Sequence, residues 1–321
     1  MVASEEVPVP SDREVNRPAS PETDMATLAI ITVTYHPDMD ILEAQLESLP
    51  ASALKVVVDN ASTSSEREAL RRLCGARARC SLVENDANCG LPAAINKGVR
   101  HAISISPDCR YLLLLDQDTE PDRGGVSSLL RHFESLRAAD RNPGCVGPRL
   151  MDAKSGLDHG FHRIAGWRWV RCYPGAGSVA VECANLNCSG SLMDIDLFTH
   201  LGGFEEDFFM DHLDTEWSFR VLAAGYKLFG IPSVVFRHRM GEATWRFWLL
   251  GWRIWPYRVP RRHYFLFRNA IRLMRRSYVP LVWKFWAAVK LSLTALVHLL
   301  MDDKRWLQLR CMVRGVVDGL R

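Results

Sequence analysis

The sequence predicts an α/β fold: a mixed, mainly parallel sheet sandwiched by helices, followed by a C-terminal helical extension that is basic and aromatic. Three observations carry that expectation. Short runs rich in branched apolar residues alternate with segments of helical spacing, as βαβ units require. Three of those runs end in polar residues, placing Thr34-Tyr35, Asp59-Asn60 and Asp116-Gln117-Asp118 along one rim. Finally, 16 Lys+Arg stand against 3 Asp+Glu from Trp245 onward, while the preceding residues carry 24 against 34.

Taken in order, residues 1–24 are polar, rich in Pro, Ser and Glu, and lack an apolar signal core, so they read as a disordered leader. Leu28–Thr34 reads as a fully buried strand, Asp40–Leu49 as a helix through Leu42, Leu46 and Leu49, and Leu54–Val58 as a second strand. Ser64–Cys74 has helical character, Cys80–Glu84 is a third strand, Leu91–Ile105 a helix and Tyr111–Leu115 a fourth strand. Residues 145–240 look less regular, apart from a helix near Asp214–Ala224 that ends at Gly225. Pro256 and Pro260 punctuate the start of the tail, and two helical patterns follow, broken at Pro280. The boundaries expected are a leader over 1–24, a catalytic domain over 25–244 and an extension over 245–321. Nine cysteines without a CxxC pair form neither a zinc framework nor a disulfide scaffold, and read as reduced cytosolic thiols.

Asp116 and Asp118 follow a buried run, where aspartate is a poor strand former and costly to bury. They either turn the chain by bonding local N–H groups or offer two carboxylates to one hard cation. Asp211 and Asp214 stand three apart at the mouth of a helix whose buried stripe is Leu213, Trp217 and Val221. There they either cap the helix or supply a general base, and the two readings are compatible.

In order along the chain, Thr34-Tyr35, Val58-Asp-Asn-Ala-Ser62, Asn88-Cys-Gly-Leu-Pro-Ala-Ala-Ile-Asn-Lys-Gly98, Leu115-Asp-Gln-Asp118 and the helix at 208–220 form a series. The span from about 28 to 240 thereby resembles glycosyltransferase family 2, the inverting nucleotide-sugar enzymes of the Rossmann-like GT-A fold. Asp211-His-Leu-Asp-Thr-Glu-Trp217, His238-Arg-Met-Gly241, Arg261–Asn269, Lys304–Cys311 and Asp318–Arg321 are similar to the rhamnosyltransferase branch, which includes enzymes of O-antigen and rhamnolipid synthesis.

The resemblance implies roles. Thr34, Tyr35 and Asp59 would line the nucleobase pocket, and Asn88, Gly90 and Asn96 would shape the nucleotide-sugar loop. Asp116 and Gln117 would meet the donor; Asp116 and Asp118, with His238 either as a further ligand or as a structural hydrogen bonder, would hold Mg²⁺ or Mn²⁺ at the diphosphate. Leu213 replaces the Glu of the family's Glu-Asp pair, leaving Asp214 as base and Asp211 second. Ser189, Gly190, Glu216, Trp217, Arg261, Tyr264, Arg268 and Asn269 would serve the acceptor or neighbouring positions. The implied reaction transfers L-rhamnose from dTDP-L-rhamnose to a glycolipid or lipid-linked surface saccharide; the alternatives are a UDP- or GDP-sugar donor, or a non-catalytic nucleotide-sugar-binding relative.

Within the tail, Val282, Phe285, Trp286, Val289, Leu293, Leu296 and Leu300 recur every three or four residues, opposite Lys284, Lys290, Ser292, Thr294 and His298. Its two lysines make it a poor membrane span, and a helix lying on an anionic membrane surface fits better than one crossing it. The competing expectation is a helix packed against the catalytic body. No nucleic-acid-binding module is present, so nucleic acid is not an expected partner. The corresponding location is cytoplasmic, at the inner face of a bacterial inner membrane.

Overall fold

The computed structural model describes residues 25–175, 177–239, 244–248 and 252–321. The expected leader, and Met240-Gly241 of the branch motif, lie outside the described residues. The first half follows the predicted alternation: β1 (Leu28–Thr34), α1 (Met39–Ser48), β2 (Leu54–Asp59), α2 (Ser64–Gly75), β3 (Cys80–Glu84), α3 (Leu91–Ile105) and β4 (Tyr111–Asp116). The chain continues with β5 (Thr119–Pro121), α4 (Gly125–Ala138), β6 (Pro143–Asp152) and the hairpin β7 (Phe161–Ala165) and β8 (Arg168–Cys172). Next come β9 (Val181–Cys183), β10 (Leu192–Asp194), α5 (Ile195–His200), α6 (Leu213–Ala223) and β11 (Lys227–His238). The hairpin β12 (Thr244–Trp248) and β13 (Trp252–Pro256) leads into α7 (Pro260–Met274), α8 (Leu281–Met301) and α9 (Arg305–Leu320).

The main sheet runs β3-β2-β1-β4-β10-β6-β11-β5, with β9 also paired to β11. Strands β1 to β4 are parallel to one another, β10 is antiparallel to both neighbours, and β11 is again parallel to β6. A sheet covered on both faces explains the continuous apolar runs. In β1, Leu28 and Ile30 point to the layer of α1, α2 and α4, whereas Ala29, Ile31 and Val33 point to the layer of α3, α5 and α6.

The segment expected to be irregular instead contributes a ten-residue and a twelve-residue strand. Strand β11 reads Lys-Leu-Phe-Gly-Ile-Pro-Ser-Val-Val-Phe-Arg-His, and its Gly and Pro suggest a turn. Its register against β6 shifts between Ile231 and Val235, so Pro232 sits in a bulge where the ladder needs no donor.

The C-terminal helices form a third apolar cluster, in which Leu266, Phe267, Ala270, Trp283, Leu291 and Met312 pack against Phe208 and Phe219. Helices α7 and α9 approach closely at two glycines. A Cβ on Gly315 would lie 2.5 Å from the Tyr264 carbonyl oxygen, and one on Gly319 would lie 2.7 Å from that of Arg268.

Helix α8 is docked by a mixed face. Thr294 and His298 are buried with Trp283 and Leu291, while Leu281, Phe285, Trp286, Leu293, Leu296 and Leu300 are exposed. Burial of the polar stripe is made tolerable by partners. His298 Nδ1 lies 3.0 Å from Asp302 Oδ2; Gln308 donates to that same oxygen at 2.8 Å, and its Oε1 meets His263 Nδ1 at 2.7 Å. By length and composition α8 is apolar enough to cross a membrane.

Candidate active site

At the carboxyl ends of β1, β2 and β4 opens a cavity of about 520 Å³. Thr34, Tyr35, Asn88, Gly90, Asp116, Gln117, Asp118, Ser189, Asp211, Asp214 and His238, all anticipated from the sequence, line it together. The remaining anticipated residues lie elsewhere. Asp59 is buried beneath the rim, where its carboxylate accepts from Thr34 Oγ1 at 3.4 Å and Ser62 N at 3.1 Å and pairs with Arg67 at 3.2 Å. Asn96 ties α3 to the Phe204 backbone in both directions, at 2.8 and 2.9 Å. Gly190 packs under Pro148, Trp217 lies in the core, and buried Glu216 pairs with Arg220 and accepts from Tyr278 at 2.7 Å. Arg261 covers the Phe209 ring, Tyr264 donates to Asp318, and Arg268 donates to the Asp207 carbonyl.

The Asp116-Gln117-Asp118 turn is held by its neighbours rather than by its own carboxylates. Gln45 donates to the Asp116 and Thr119 carbonyls at 2.7 and 2.5 Å, and Ser189 Oγ accepts from the Asp116 N–H at 2.9 Å. Gln117 exchanges two hydrogen bonds with the Tyr35 backbone, at 2.8 and 3.3 Å. Among the described residues no hydrogen bond reaches the Asp116 carboxylate, which disfavours a self-satisfied Asx turn. Pairing of β5 with β11 aligns His238 with Thr119, and this long-range register delivers the imidazole.

Ligand atoms of Asp116, Asp118 and His238 lie within 4.8 Å of one another, and His238 Nδ1 is 3.4 Å from Asp118 Oδ1. Burial raises the carboxyl pKa of both aspartates, with nearby His238 opposing the rise and the Asp116–Asp118 repulsion adding to it at Asp116. Two crowded carboxylates and an imidazole form a donor set suited to a divalent cation, whose charge would remove that repulsion.

Asp214 sits in the first turn of α6. Burial, with Asp211 and Asp116 adding repulsion, pushes its carboxyl up to about 6, against hydrogen bonds from the Thr215 N–H and hydroxyl. Among the described residues Asp214 has no ion-pair partner, whereas Asp211 is held by Arg262 Nε at 3.2 Å. Neither caps the helix: the N-cap position is His212, without a side-chain cap. The approach to α6 is conformationally costly, with Phe209, Asp211 and His212 at φ of 61°, 56° and 64°. Buried Asn269 holds it, donating to the carbonyls of Phe208, Met210 and Asp211 at 2.8, 2.6 and 3.0 Å. Gly90 closes the other side, since a Cβ there would meet the Phe209 carbonyl at 2.6 Å.

Residues 31–174 match the family model described as glycosyl transferase family 2. That span is similar to family 2 glycosyltransferases. Among curated proteins the enzyme is 25% identical over 300 residues to the dTDP-rhamnosyl transferase RfbF of Shigella flexneri, covering 91% of this chain and 94% of that one. It is 26% identical over 253 residues to the N-acetylglucosaminyl-diphospho-decaprenol L-rhamnosyltransferase of Mycobacterium tuberculosis, covering 68% and 78%. Its fold resembles that of the mannosyltransferase PcManGT from Pyrobaculum calidifontis in complex with GDP-Man and Mn²⁺, at a TM-score of 0.55 and 19% identity over 96% and 92% of the two chains. The fold is therefore GT-A-like.

Sequence reasoning missed Gln45, His159 and Arg262, and gave no site role to Asn60, which it placed on the rim, or to Asn187. Asn60 donates to Asn88 Oδ1 at 3.1 Å and accepts from the Cys89 N–H at 3.0 Å, holding the loop before α3. The Asp59-Asn60 strand end was the signal for Asn60. Gln45 looks like an ordinary helix residue, and only the tertiary fold exposes its role.

Proposed function

We propose that the protein transfers L-rhamnose, with inversion, from dTDP-β-L-rhamnose to a hydroxyl of a lipid-linked saccharide. The observation that carries this reading is one cavity lined both by the Asp116–Asp118–His238 cluster and by Asp214, a carboxylate without a counter-ion among the described residues. Asp214 accepts the acceptor hydroxyl's proton; the freed oxygen attacks the anomeric carbon from the face opposite the diphosphate; the bond to the phosphate oxygen breaks, releasing dTDP and an α-L-rhamnoside. No enzyme nucleophile takes part. Asp116, Asp118 and His238 would hold Mg²⁺ or Mn²⁺, which when bound offsets charge on the departing diphosphate. Thr34, Tyr35 and Asn88 would border the nucleotide.

Rhamnose as the sugar is supported by the names of both curated relatives, and a diphosphate-linked lipid acceptor by the mycobacterial one. Contact with an anionic membrane is supported by α8: it packs through Trp283, Leu291, Thr294 and His298, so Phe285, Leu293, Leu296 and Leu300 face out in a region rich in arginine and lysine. A helix docked on the catalytic body is not free to span, so it would lie in the interface at the cytoplasmic face. The second reading, another nucleotide sugar, is favoured by the GDP-Man complex among the fold neighbours. A donor panel scored by released nucleoside diphosphate separates the two. Release from dTDP-L-rhamnose well above UDP- and GDP-sugars supports rhamnosyl transfer; the reverse order excludes it.

A further inference from the structure

A second cavity, of about 370 Å³, lies on the other side of Asp214. It shares Asn187, His212 and Asp214 with the first, so the candidate base stands in the wall between the two. Its wall also includes Trp169 and Arg171 from the β7–β8 hairpin, Leu266 and Ala270 from α7, and Trp283, Trp286 and Lys290 from α8. Residues 283, 286 and 290 follow helical spacing and therefore share one face of α8.

The charge of this cavity is one-sided. Arg171 and Lys290 both line it and both are exposed to its solvent, and Asp214 is its one carboxylate among the described residues. Arg171 Nε donates to His162 Nε2 at 3.0 Å. That imidazole is kept neutral at physiological pH, since burial and then Arg171 and Lys290 push its pKa down to about 4. The Lys290 Nζ makes no hydrogen bond or ion pair among the described residues, although Asp211 and Asp214 are near enough to favour its charge. Asp214 is the single carboxylate set against these two cations, which leaves the aromatic cavity with an excess of positive charge. Trp286 continues outward into the exposed Phe285, Leu293 and Leu296 of the same helix. From Asp214 outward, the surface therefore changes from a proton acceptor, through indoles and two cations, to an apolar helix face.

That sequence of chemistries matches an amphiphile with a sugar, an anionic linkage and a hydrocarbon chain. We propose that this cavity is the acceptor subsite, in which Arg171 and Lys290 bind the diphosphate of a lipid-linked saccharide while the indoles of Trp283 and Trp286 pack its sugar and first lipid carbons. The assignment rests on the glycosyltransferase reading above and extends it. With the donor diphosphate at Asp116 and Asp118, an acceptor hydroxyl entering past Asp214 approaches from the far side, as an inverting displacement requires.

The test is a tryptophan-fluorescence titration of the full chain with an N-acetylglucosaminyl diphosphate carrying a short prenyl chain, since three indoles line the cavity. Its uncharged alkyl glycoside and dTDP are titrated in parallel. Lys290→Glu weakens binding of the diphosphate probe by roughly tenfold or more, as reversal of a contacting charge would. Lys290→Gln and Arg171→Ala give smaller losses of the same sign. The uncharged glycoside is indifferent to all three, and dTDP affinity with Mn²⁺ stays within about twofold of wild type, because Asp116 and Asp118 line the first cavity and Arg171 and Lys290 only the second. Equal probe affinity in Lys290→Glu, loss of dTDP affinity in parallel, or a wild-type chain that does not bind the probe each overturns the proposal. Failure of dTDP to bind the wild type, with the probe effects intact, overturns the donor reading and leaves the subsite standing.

Discussion

Replacing Asp214 by Asn should abolish transfer and, at neutral pH, stabilise the fold. The two effects share one cause. The Asp214 carboxyl is displaced from 3.8 to about 6, first by burial and then by Asp211 and Asp116. A displacement of that size corresponds to about 3 kcal/mol of differential interaction between the protonated and ionised forms. Because the folded-state pKa is raised, the group's favourable contribution is complete below 3.8 and is lost as pH rises through 6. At pH 7 the native state therefore holds an ionised carboxylate that the unfolded chain would solvate better, and the neutral amide removes that cost. Thermal unfolding in chelator-containing buffer should place the Asn variant several degrees above wild type at pH 7, and the gap should shrink toward pH 4. In the rate assay, a base with this pKa is about one-tenth ionised at pH 5 and about nine-tenths at pH 7, so kcat/KM should rise roughly tenfold across that interval. The variant should retain donor affinity within a few fold and lose about 10²–10⁴ in kcat. A flat profile from pH 5 to 7, or turnover by Asp214→Asn near wild type, would refute the base assignment; a destabilised variant at pH 7 would refute the electrostatic reasoning.

Asp118→Ala should weaken metal-dependent nucleotide binding by about tenfold or more, since one of three ligands is lost; equal calorimetric affinity with and without chelator in wild type would contradict a metal role. Asn269→Ala leaves three loop carbonyls without their donor and should cost about 1–3 kcal/mol of stability while lowering kcat more than it changes donor affinity. An unchanged kcat there would mean that the strained 209–212 segment does not set the position of Asp214. Phe285→Glu combined with Leu293→Glu should abolish flotation with anionic liposomes without changing turnover of a water-soluble acceptor; flotation unaffected by the pair would exclude α8 as the membrane-facing element.

The first half of the sheet was legible because its signal is local. Strands β1 and β4 are buried on both faces and appear as nearly uninterrupted apolar runs, β2 is interrupted only by Lys55, and the polar ends of these three mark the rim. The Asp116, Asp118 and Asp214 carboxylates stand out for the same reason, as charged residues directly after or before apolar stretches. Strand β11 was hidden by Gly230, which leaves room for the Phe161 ring, and by Pro232, which is tolerated because the register shifts there. His238 lay at the end of that unrecognised strand, and its place beside Asp118 depends on pairing with β5, more than a hundred residues away in sequence. Periodicity separated Phe285, Leu293, Leu296 and Leu300 from Thr294 and His298 but set Lys290 and Ser292, both exposed, on the packed side, and it does not say which side faces in. That choice was made by the His298, Asp302, Gln308 and His263 network, whose members come from three different segments. Arg262 was likewise invisible as a partner of Asp211 until α7 folded back over the 208–212 loop.

The central claim is that the cavity at the ends of β1, β2 and β4 performs metal-dependent, inverting rhamnosyl transfer. Its most direct test is to incubate the full chain with dTDP-β-L-rhamnose, Mn²⁺ and a diphosphate-linked N-acetylglucosamine acceptor, and to determine the anomeric configuration of the product by NMR. The predicted result is an α-L-rhamnoside formed with stoichiometric release of dTDP and lost on chelation. A β-L-rhamnoside, undiminished product in excess chelator, or transfer from a UDP- or GDP-sugar in preference to dTDP-rhamnose would contradict it.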